Sequence, residues 1–301
     1  MLSKPTILVC TDFNQASDFA LKSSETIRKK VGGSLHVLHI ADFPVQWDWL
    51  AQDSAYLLQT EKINLELLRS LRQQMAEQVR RCEVHGTTDV VLGSTYEGIM
   101  QHISTMKPDM VIMGHKGKSQ GLFNLGGIVS KVVASSTVPV MVTKKYLGSS
   151  VGKVAGLVDS SHLMKPIVTA TEEMSFLFSA EPEIVSLWRN VTSQHHQFAP
   201  IEKVHSLLDE DSEYRGVILK RMKEEITKSL DEHSKCKVRV EITDEKQVAY
   251  HLVKILEEDK VDLAIMKRHQ KDFLQKMLIG SETRRMLELF NGNILVLPPM
   301  P

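Results

Sequence analysis

The chain has 301 residues, a usual length for two domains of average size, with 42% hydrophobic and 25% charged residues. Lysine plus arginine and aspartate plus glutamate both number 37, so the formal net charge is zero, which argues against a broad basic surface for nucleic acid. No apolar run reaches the roughly 18 residues that would suggest a membrane span, and the three cysteines lie far apart. We therefore expect a cytoplasmic protein with reduced thiols and neither a nucleic-acid nor a membrane partner.

The first half of the chain alternates short apolar runs with amphipathic segments. The runs predict strands over residues 7–10, 35–40, 82–92 (with a break near 86–88), 110–113 and 138–142. The amphipathic segments predict helices over 16–30, about 53–80 and 94–106. Asp12 or Asn14 is expected to cap the first helix, Gly32 to end it, and Ser94 or Thr95 to cap the third. Strand and helix in strict alternation predict a doubly wound parallel sheet.

The same alternation begins again after a segment, 144–153, that lacks an apolar pattern and is predicted to be a linker. Residues 153–161 align with 7–14 and place Asp159 on Asp12, while 261–266 align with 108–113 and 292–298 with 138–142. An internal duplication of a whole domain explains this best, with domains at 1–147 and 152–301.

Three glycines stand between the fourth strand and the helix that follows it. Gly114 and Gly117 leave the strand, and Gly127 opens a helical pattern. Glycine lets the backbone turn with positive φ and come close to a ligand, and a helix N-terminus favours an anion, so phosphate is the natural ligand. On this stretch alone, a plain loop is about as good an explanation.

The spacing of these glycines resembles the nucleotide loop of the universal stress protein family, Gly-x2-Gly-x9-Gly-[Ser/Thr]. Ile128 departs from it where the family has a small hydroxyl, and Ser130 matches a second hydroxyl that is common in the family. Residues 6–14 and 34–40 also resemble the first two strands of that family. The resemblance implies two tandem Rossmann-like (adenine nucleotide alpha hydrolase-like) domains, each with a five-stranded parallel sheet flanked by helices.

The resemblance also implies a ligand, which is ATP or another adenine nucleotide, with or without Mg²⁺. Family members hold adenine with the residues at the positions of Asp12 and Ile40; from the residues alone, capping and ligand contact are equally good roles for Asp12. The backbone N–H groups after Gly127 would hold phosphate, even though Ile128 removes one side-chain hydrogen bond. The full set of predicted nucleotide-binding residues is Thr11, Asp12, Ile40, Met113, Gly114, Gly117, Gly127, Ile128, Val129 and Ser130.

The second copy differs at this loop. Lys267 and Gln270 stand where the two leading glycines should be, although Gly280 and Ser281 keep the glycine–hydroxyl pair that the first copy lacks. We therefore expect the second copy to bind nucleotide weakly or not at all. The alternative is that the basic residues within 267–271 hold an anion in another pose; a solvated basic loop is the simpler interpretation.

No catalytic pattern stands out in the chain. The Walker loop and the Gly-x-Ser-x-Gly elbow are both missing, and no carboxylate or cysteine lies at zinc-site spacing from His195, His196 and His205, so we predict neither a catalytic residue nor a metal ligand. Cys10 fits a small apolar strand residue better than a redox or nucleophilic thiol.

The function predicted from these patterns is a stress-response protein that binds an adenine nucleotide in its first domain and acts as a binding or signalling module with an unknown protein partner. The alternatives are a nucleotide-free interaction scaffold with degenerate sites and a slow ATP hydrolase. By resemblance to family dimers, the fifth strands, 138–142 and 294–297, would pair within the chain as a pseudo-dimer, and two chains could associate further as a homodimer.

Overall fold

The computed structural model of the chain describes residues 4–42, 54–115, 127–148, 151–158, 164–189, 213–228, 230–232, 234–243, 248–268 and 281–299. The chain divides into two compact units. The first consists mainly of Met1–Gly148, and the second consists of Ser149–Arg268 and Gly280–Leu297. Across the described ranges, none of the helices is both long and apolar enough to cross a membrane.

The first unit alternates strand and helix as predicted. Its strands are β1 (Thr6–Cys10), β2 (Ser34–Ala41), β3 (Thr87–Leu92), β4 (Met110–Gly114) and β5 (Val140–Thr143). Its helices are α1 (Gln15–Val31), α2 (Ser54–Arg81), α3 (Thr95–Met106) and α4 (Gly127–Ser135). These bounds lie within a few residues of the sequence prediction except at the start of β3.

The strands of this unit are parallel and lie in the order β3-β2-β1-β4-β5. The chain order therefore reverses beside β1, where Cys10 pairs with Leu38 of β2 on one side and with Met113 of β4 on the other. Right-handed crossovers then place α1 and α2 on one face and α3 and α4 on the other. A crevice at the carboxyl ends of β1 and β4 follows from this reversal, and ligands bind to open α/β sheets at such a crevice.

Local chemistry sets both ends of α1. The Asn14 side chain accepts a hydrogen bond from the Ser17 N–H at 3.0 Å, so Asn14, one of the two predicted candidates, is the N-cap. Gly32 has φ 71°, and its N–H donates to the Arg28 carbonyl, which makes it the left-handed C-cap that the sequence indicated. Ser94 lies at the N-cap position of α3, but its side chain makes no capping hydrogen bond.

Glu25 is a buried carboxylate on α1 that is fully engaged by hydrogen bonds. Arg28 donates to both of its oxygens, at 2.8 and 2.7 Å, and His85 bonds it through the backbone N–H and the imidazole. Burial opposes ionisation, but these hydrogen bonds outweigh it and lower the pKa of Glu25 to about 2.

Two sequence predictions for this unit were wrong. Residues 82–86 are not strand, because α2 ends at Arg81 and the chain turns at Glu83, with φ 54°, and the Val84 N–H bonds back to the Val79 carbonyl. The start of the expected linker is packed against α1. There Leu147 is 1% exposed and its N–H donates to the Ser23 hydroxyl.

The second unit repeats the architecture of the first. Its strands are β6 (Lys153–Val158), β7 (Glu181–Arg189), β8 (Lys237–Thr243), β9 (Leu263–Lys267) and β10 (Asn293–Leu297). Its helices are α5 (Met164–Phe178), α6 (Glu213–Lys228), α7 (Val248–Glu258) and α8 (Ser281–Leu289). The order β8-β7-β6-β9-β10, again all parallel, matches that of the first unit. The predicted fold class, two α/β units that each have a five-stranded parallel sheet flanked by helices, is confirmed.

Candidate functional site

A cavity of about 470 Å³ lies at the strand-order reversal of the first unit. Its walls come from the ends of β1, β2 and β4 and from the first turns of α1, α3 and α4. The lining residues are Cys10, Thr11, Asp12, Asn14, Ser17, Leu38, Ile40, Thr95, Ile99, Met113, Gly114, His115, Gly127, Ile128 and Val129.

The segment that leaves β1 carries the polar groups of one wall. Asp12 is exposed, and its carboxylate accepts hydrogen bonds from the Ser17 hydroxyl and from the Asn14 side chain and N–H. The next residue, Phe13, has φ 64°, which is uncommon for a bulky residue, and its ring lies 4.2 Å from that of His39. The capping network of α1 therefore fixes the orientation of Asp12 at the cavity.

Thr11 anchors the same segment to the rest of the unit. Its buried hydroxyl donates to the Gln78 side-chain oxygen on α2 at 2.8 Å and accepts from the Phe13 N–H at 3.1 Å. Its carbonyl is 2.8 Å from Nδ1 of His39. Hydrogen bonds thus tie this part of the cavity wall to both α2 and β2.

The inner wall of the cavity is apolar. It is formed by Leu38 and Ile40 of β2, Ile99 of α3 and Met113 of β4. A Cβ added at Gly98 would lie 2.5 Å from the Ile40 side chain, so glycine there lets α3 approach β2.

Gly114 and Gly127 have different surroundings. A Cβ added at Gly114 would lie 2.3 to 2.5 Å from backbone atoms of Ala16 and Ser17, so this glycine is required by the close approach of α1. At Gly127, which lines the cavity, an added Cβ would meet no atom of the described residues within 4 Å. Neither glycine has a positive φ, so the turning role that the sequence suggested does not apply to them.

Gly127, Ile128 and Val129 form the first turn of α4 at the cavity. The N–H groups of a first helical turn have no partner within the helix, and the helix dipole favours an anion there. Ser130 does not line the cavity. Its Oγ is buried and has no hydrogen-bond partner in the described part of the chain.

Two reactive residue types, Cys10 and His115, also line the cavity. Burial raises the pKa of the Cys10 thiol to about 12, so the thiolate that a nucleophile or redox centre needs is not formed near neutral pH. This supports the apolar role that the sequence favoured for Cys10. His115 is buried, and its backbone N–H donates to the Thr143 carbonyl at 2.9 Å.

The structure brings together eight of the ten predicted nucleotide-binding residues, since all but Gly117 and Ser130 line this cavity. Gly117 lies outside the described residues. Seven lining residues were not in the predicted set, namely Cys10, Asn14, Ser17, Leu38, Thr95, Ile99 and His115. Leu38 precedes Ile40 by two positions and so shares its face of the strand, a signal that could have found it. Ser17 and Thr95 line the cavity because of how their helices pack.

In the second unit, the equivalent region is described only in part. Lys267 is the last residue of β9 and is buried, and burial lowers the pKa of the adjacent Arg268. Ser281 begins α8. Asp159, Gln270 and Gly280, also named from the sequence, lie outside the described residues.

Comparisons with known proteins agree with this architecture. Residues 5–144 match the model of the universal stress protein family. A universal stress protein from Archaeoglobus fulgidus DSM 4304 has a similar structure, with a TM-score of 0.66, 17% identity and 98% of both chains covered. A functionally unknown protein from Pseudomonas aeruginosa PAO1 gives a TM-score of 0.65 and 16% identity, covering 99% of this chain and 94% of that chain. No curated protein matched the chain.

Proposed function

We propose that the first domain, whose residues 5–144 match the model of the universal stress protein family, binds ATP or another adenine nucleotide. The protein would act as a stress-response binding or signalling module and not as a catalyst. The observation that carries the proposal is the cavity at the strand-order reversal, where eight residues chosen from the sequence converge.

The inner part of the cavity suits a nucleoside. Leu38, Ile40, Ile99 and Met113 offer an apolar surface for a flat base. Asp12 stands beside them at the end of β1, with its carboxylate held in place by Ser17 and Asn14. A carboxylate accepts hydrogen bonds, so it can bind the amino group of adenine or a ribose hydroxyl.

The opposite wall suits phosphate. The N–H groups of the first turn of α4 provide donors that need no side chain, and Gly127 places no side chain in front of them. A volume of about 470 Å³ lies within the usual range for small-molecule sites, so the residues present fit an adenine nucleotide. We assign no residues to Mg²⁺.

The second domain would bind nucleotide weakly or not at all. Lys267, whose counterpart in the first unit is Gly114, is buried at the end of β9. In the first unit this position needs a glycine because the backbone of α1 passes close to it, so a lysine here changes the wall of the equivalent site. We therefore propose one working nucleotide site per chain.

Binding without efficient turnover agrees with the chemistry of the cavity wall. The Cys10 thiol stays protonated near neutral pH, so it is not set up to activate an attacking water. The Asp12 carboxylate has the role of a nucleoside ligand in this proposal.

The experiment that tests the proposal restores the hydroxyl that the family has and this chain lacks. ATP would be titrated into the nucleotide-free full chain, the Ile128→Ser variant and the matched Ile128→Ala control. One added hydrogen bond of about 1 kcal/mol, or up to about 3 kcal/mol to a charged phosphate, should tighten binding by roughly five- to 150-fold in the serine variant. Alanine shortens the side chain of residue 128 in the same way but adds no hydroxyl, so the Ile128→Ala variant should not gain this affinity. Undetectable ATP affinity in all three proteins would refute the proposal and favour the scaffold alternative.

A further inference from the structure

Two histidines and an aspartate from three different elements meet on the face of the first unit that α3 covers. They are His36 of β2, Asp89 of β3 and His102 of α3, and one potential ligand atom from each lies within 4.8 Å of the others. The strand register explains the meeting: His36 pairs with Thr87, and Asp89 lies two residues further along the same face of β3. None of the three lines the nucleotide cavity.

The second nitrogen of each imidazole has a hydrogen-bond partner. Nδ1 of His102 lies 2.7 Å from the Gly98 carbonyl, which can only accept, so Nδ1 carries the proton and Nε2 a lone pair. Nδ1 of His36 lies 2.8 Å from the Thr87 hydroxyl, which is able to accept a hydrogen bond from it. In the tautomer with the proton on Nδ1, Nε2 of His36 also presents a lone pair.

One of these nitrogens is buried without a protein partner among the described residues. His36 Nε2 is buried and has no hydrogen-bond partner in the described part of the chain. Nε2 of His102 lies 3.7 Å from the Asp89 carboxylate, too far for a hydrogen bond. Two imidazole lone pairs beside a carboxylate form a cluster of acceptors, and such a cluster can bind a cation. Histidines that bind metals commonly have the other ring nitrogen held by a backbone carbonyl, as His102 has here.

We propose that His36, Asp89 and His102 form a binding site for Zn²⁺. Two imidazoles and a carboxylate are ligands that zinc takes in sites with three protein ligands and an open fourth position. The Asp89 side chain is 45% exposed, so water can occupy that position. Tetrahedral zinc with bonds of about 2.0–2.1 Å holds its ligand atoms roughly 3.3 Å apart, and side-chain rotations of these half-buried residues close the gap from 4.8 Å.

The proposed site would join α3 to the two outer strands of the sheet. The first turns of α3 also supply Thr95 and Ile99 to the wall of the nucleotide cavity. Zinc would bind the folded protein and not the unfolded chain with this geometry, so it should raise the melting temperature of the protein.

The test uses the metal-free full chain, titrated calorimetrically with ZnCl₂ and melted with and without the metal. The variants are His102→Ala and Asp89→Asn, the second of which keeps the shape of the side chain. The control is His85→Gln, which removes an exposed imidazole from the same unit and leaves the three ligands intact. We expect wild type and control to bind Zn²⁺ with the same affinity and to melt at a higher temperature in its presence. In both ligand variants the affinity should fall at least tenfold and the thermal shift should vanish.

Two results would overturn the proposal. One is that wild type takes up no Zn²⁺. The other is that Asp89→Asn binds Zn²⁺ as tightly as the control does, which would place any bound zinc elsewhere in the chain. If His102→Ala fails to fold, the comparison between Asp89→Asn and the control decides alone.

Discussion

At the scale of single residues, two glycines of the same motif have different physical roles. Gly114 is needed because the backbone of α1 passes within 2.3 Å of where its Cβ would be, whereas a Cβ at Gly127 would contact none of the residues that the structure describes. The spacing of the glycines revealed the motif, but it could not separate these roles, because the approach of α1 comes from packing in three dimensions.

This difference predicts opposite results for two alanine variants. Gly114→Ala should lower the free energy of unfolding by about 1–3 kcal/mol, since backbone atoms of Ala16 and Ser17 must move. Gly127→Ala should change that free energy by less than about 0.5 kcal/mol. Its new methyl group projects into the cavity and should weaken ATP binding instead. Urea unfolding and ATP titration of both variants check this, and an unaffected stability in Gly114→Ala would contradict the account.

The hydrogen-bonded carboxylate of Glu25 should make the free energy of unfolding depend on pH. Its pKa falls from 4.5 to about 2 on folding, so the stabilisation is present above the unfolded value and is lost as the pH falls through about 2. That difference corresponds to at most about 3 kcal/mol at neutral pH. Glu25→Gln should therefore be less stable than wild type at pH 7, and the gap should close as the pH falls from about 5 towards 2.

Thermal melts of both proteins across that pH range would measure the effect. Glu77→Gln, which alters an exposed carboxyl on α2, is the control and should follow wild type throughout. A constant gap between Glu25→Gln and wild type from pH 7 to pH 2 would show that the carboxylate is not stabilised as described.

At the scale of elements, Gln78 connects α2 with α1 and with the end of β1. Its buried amide accepts from the Thr11 hydroxyl and donates to Asp18 at 2.8 Å, and Arg81 donates to the same carboxylate. Burial opposes ionisation of Asp18, but the hydrogen bonds from Gln78 and Arg81 lower the pKa of this carboxyl. A single amide therefore holds two helices and the cavity wall together.

We expect Gln78→Leu to lower the free energy of unfolding by about 1–3 kcal/mol, because it leaves the buried Thr11 hydroxyl without its acceptor. Arg81→Ala is the matched change on the same helix. Its side chain is 61% exposed, so losing its ion pair with Asp18 should cost less than about 1 kcal/mol. Chemical unfolding would rank the two variants, and an equal loss in both would contradict the role of the buried amide.

Strands and helices could be predicted where the apolar periodicity was strong. The prediction was poorer where tertiary contacts determine the backbone conformation. The apolar runs located every strand of the first unit. The alternation of Cys82 and Val84 looked like strand, but both are buried as part of the turn that ends α2. Similarly, His36 and His102 lie far apart in the sequence, and only the register of β2 and β3 and the position of α3 bring them together with Asp89.

At the scale of the whole molecule, the same strand order in both units fits the internal duplication that the sequence indicated. The two units differ where the nucleotide loop begins, at Gly114 in the first and Lys267 in the second. Two units that share a fold but differ at this loop are what we expect when one copy keeps a ligand site and the other keeps only the fold.

The measurement that tests this account most directly is the number of adenine nucleotides bound per full chain. Nucleotide released from the purified protein would be quantified, followed by ATP titration of wild type, Gly127→Val and Ser281→Ala. We predict one nucleotide per chain, lost in Gly127→Val, which fills the cavity of the first unit, and retained in Ser281→Ala, which alters the start of α8 in the second. Two nucleotides per chain would show that the second domain also binds, and none would contradict the nucleotide site itself.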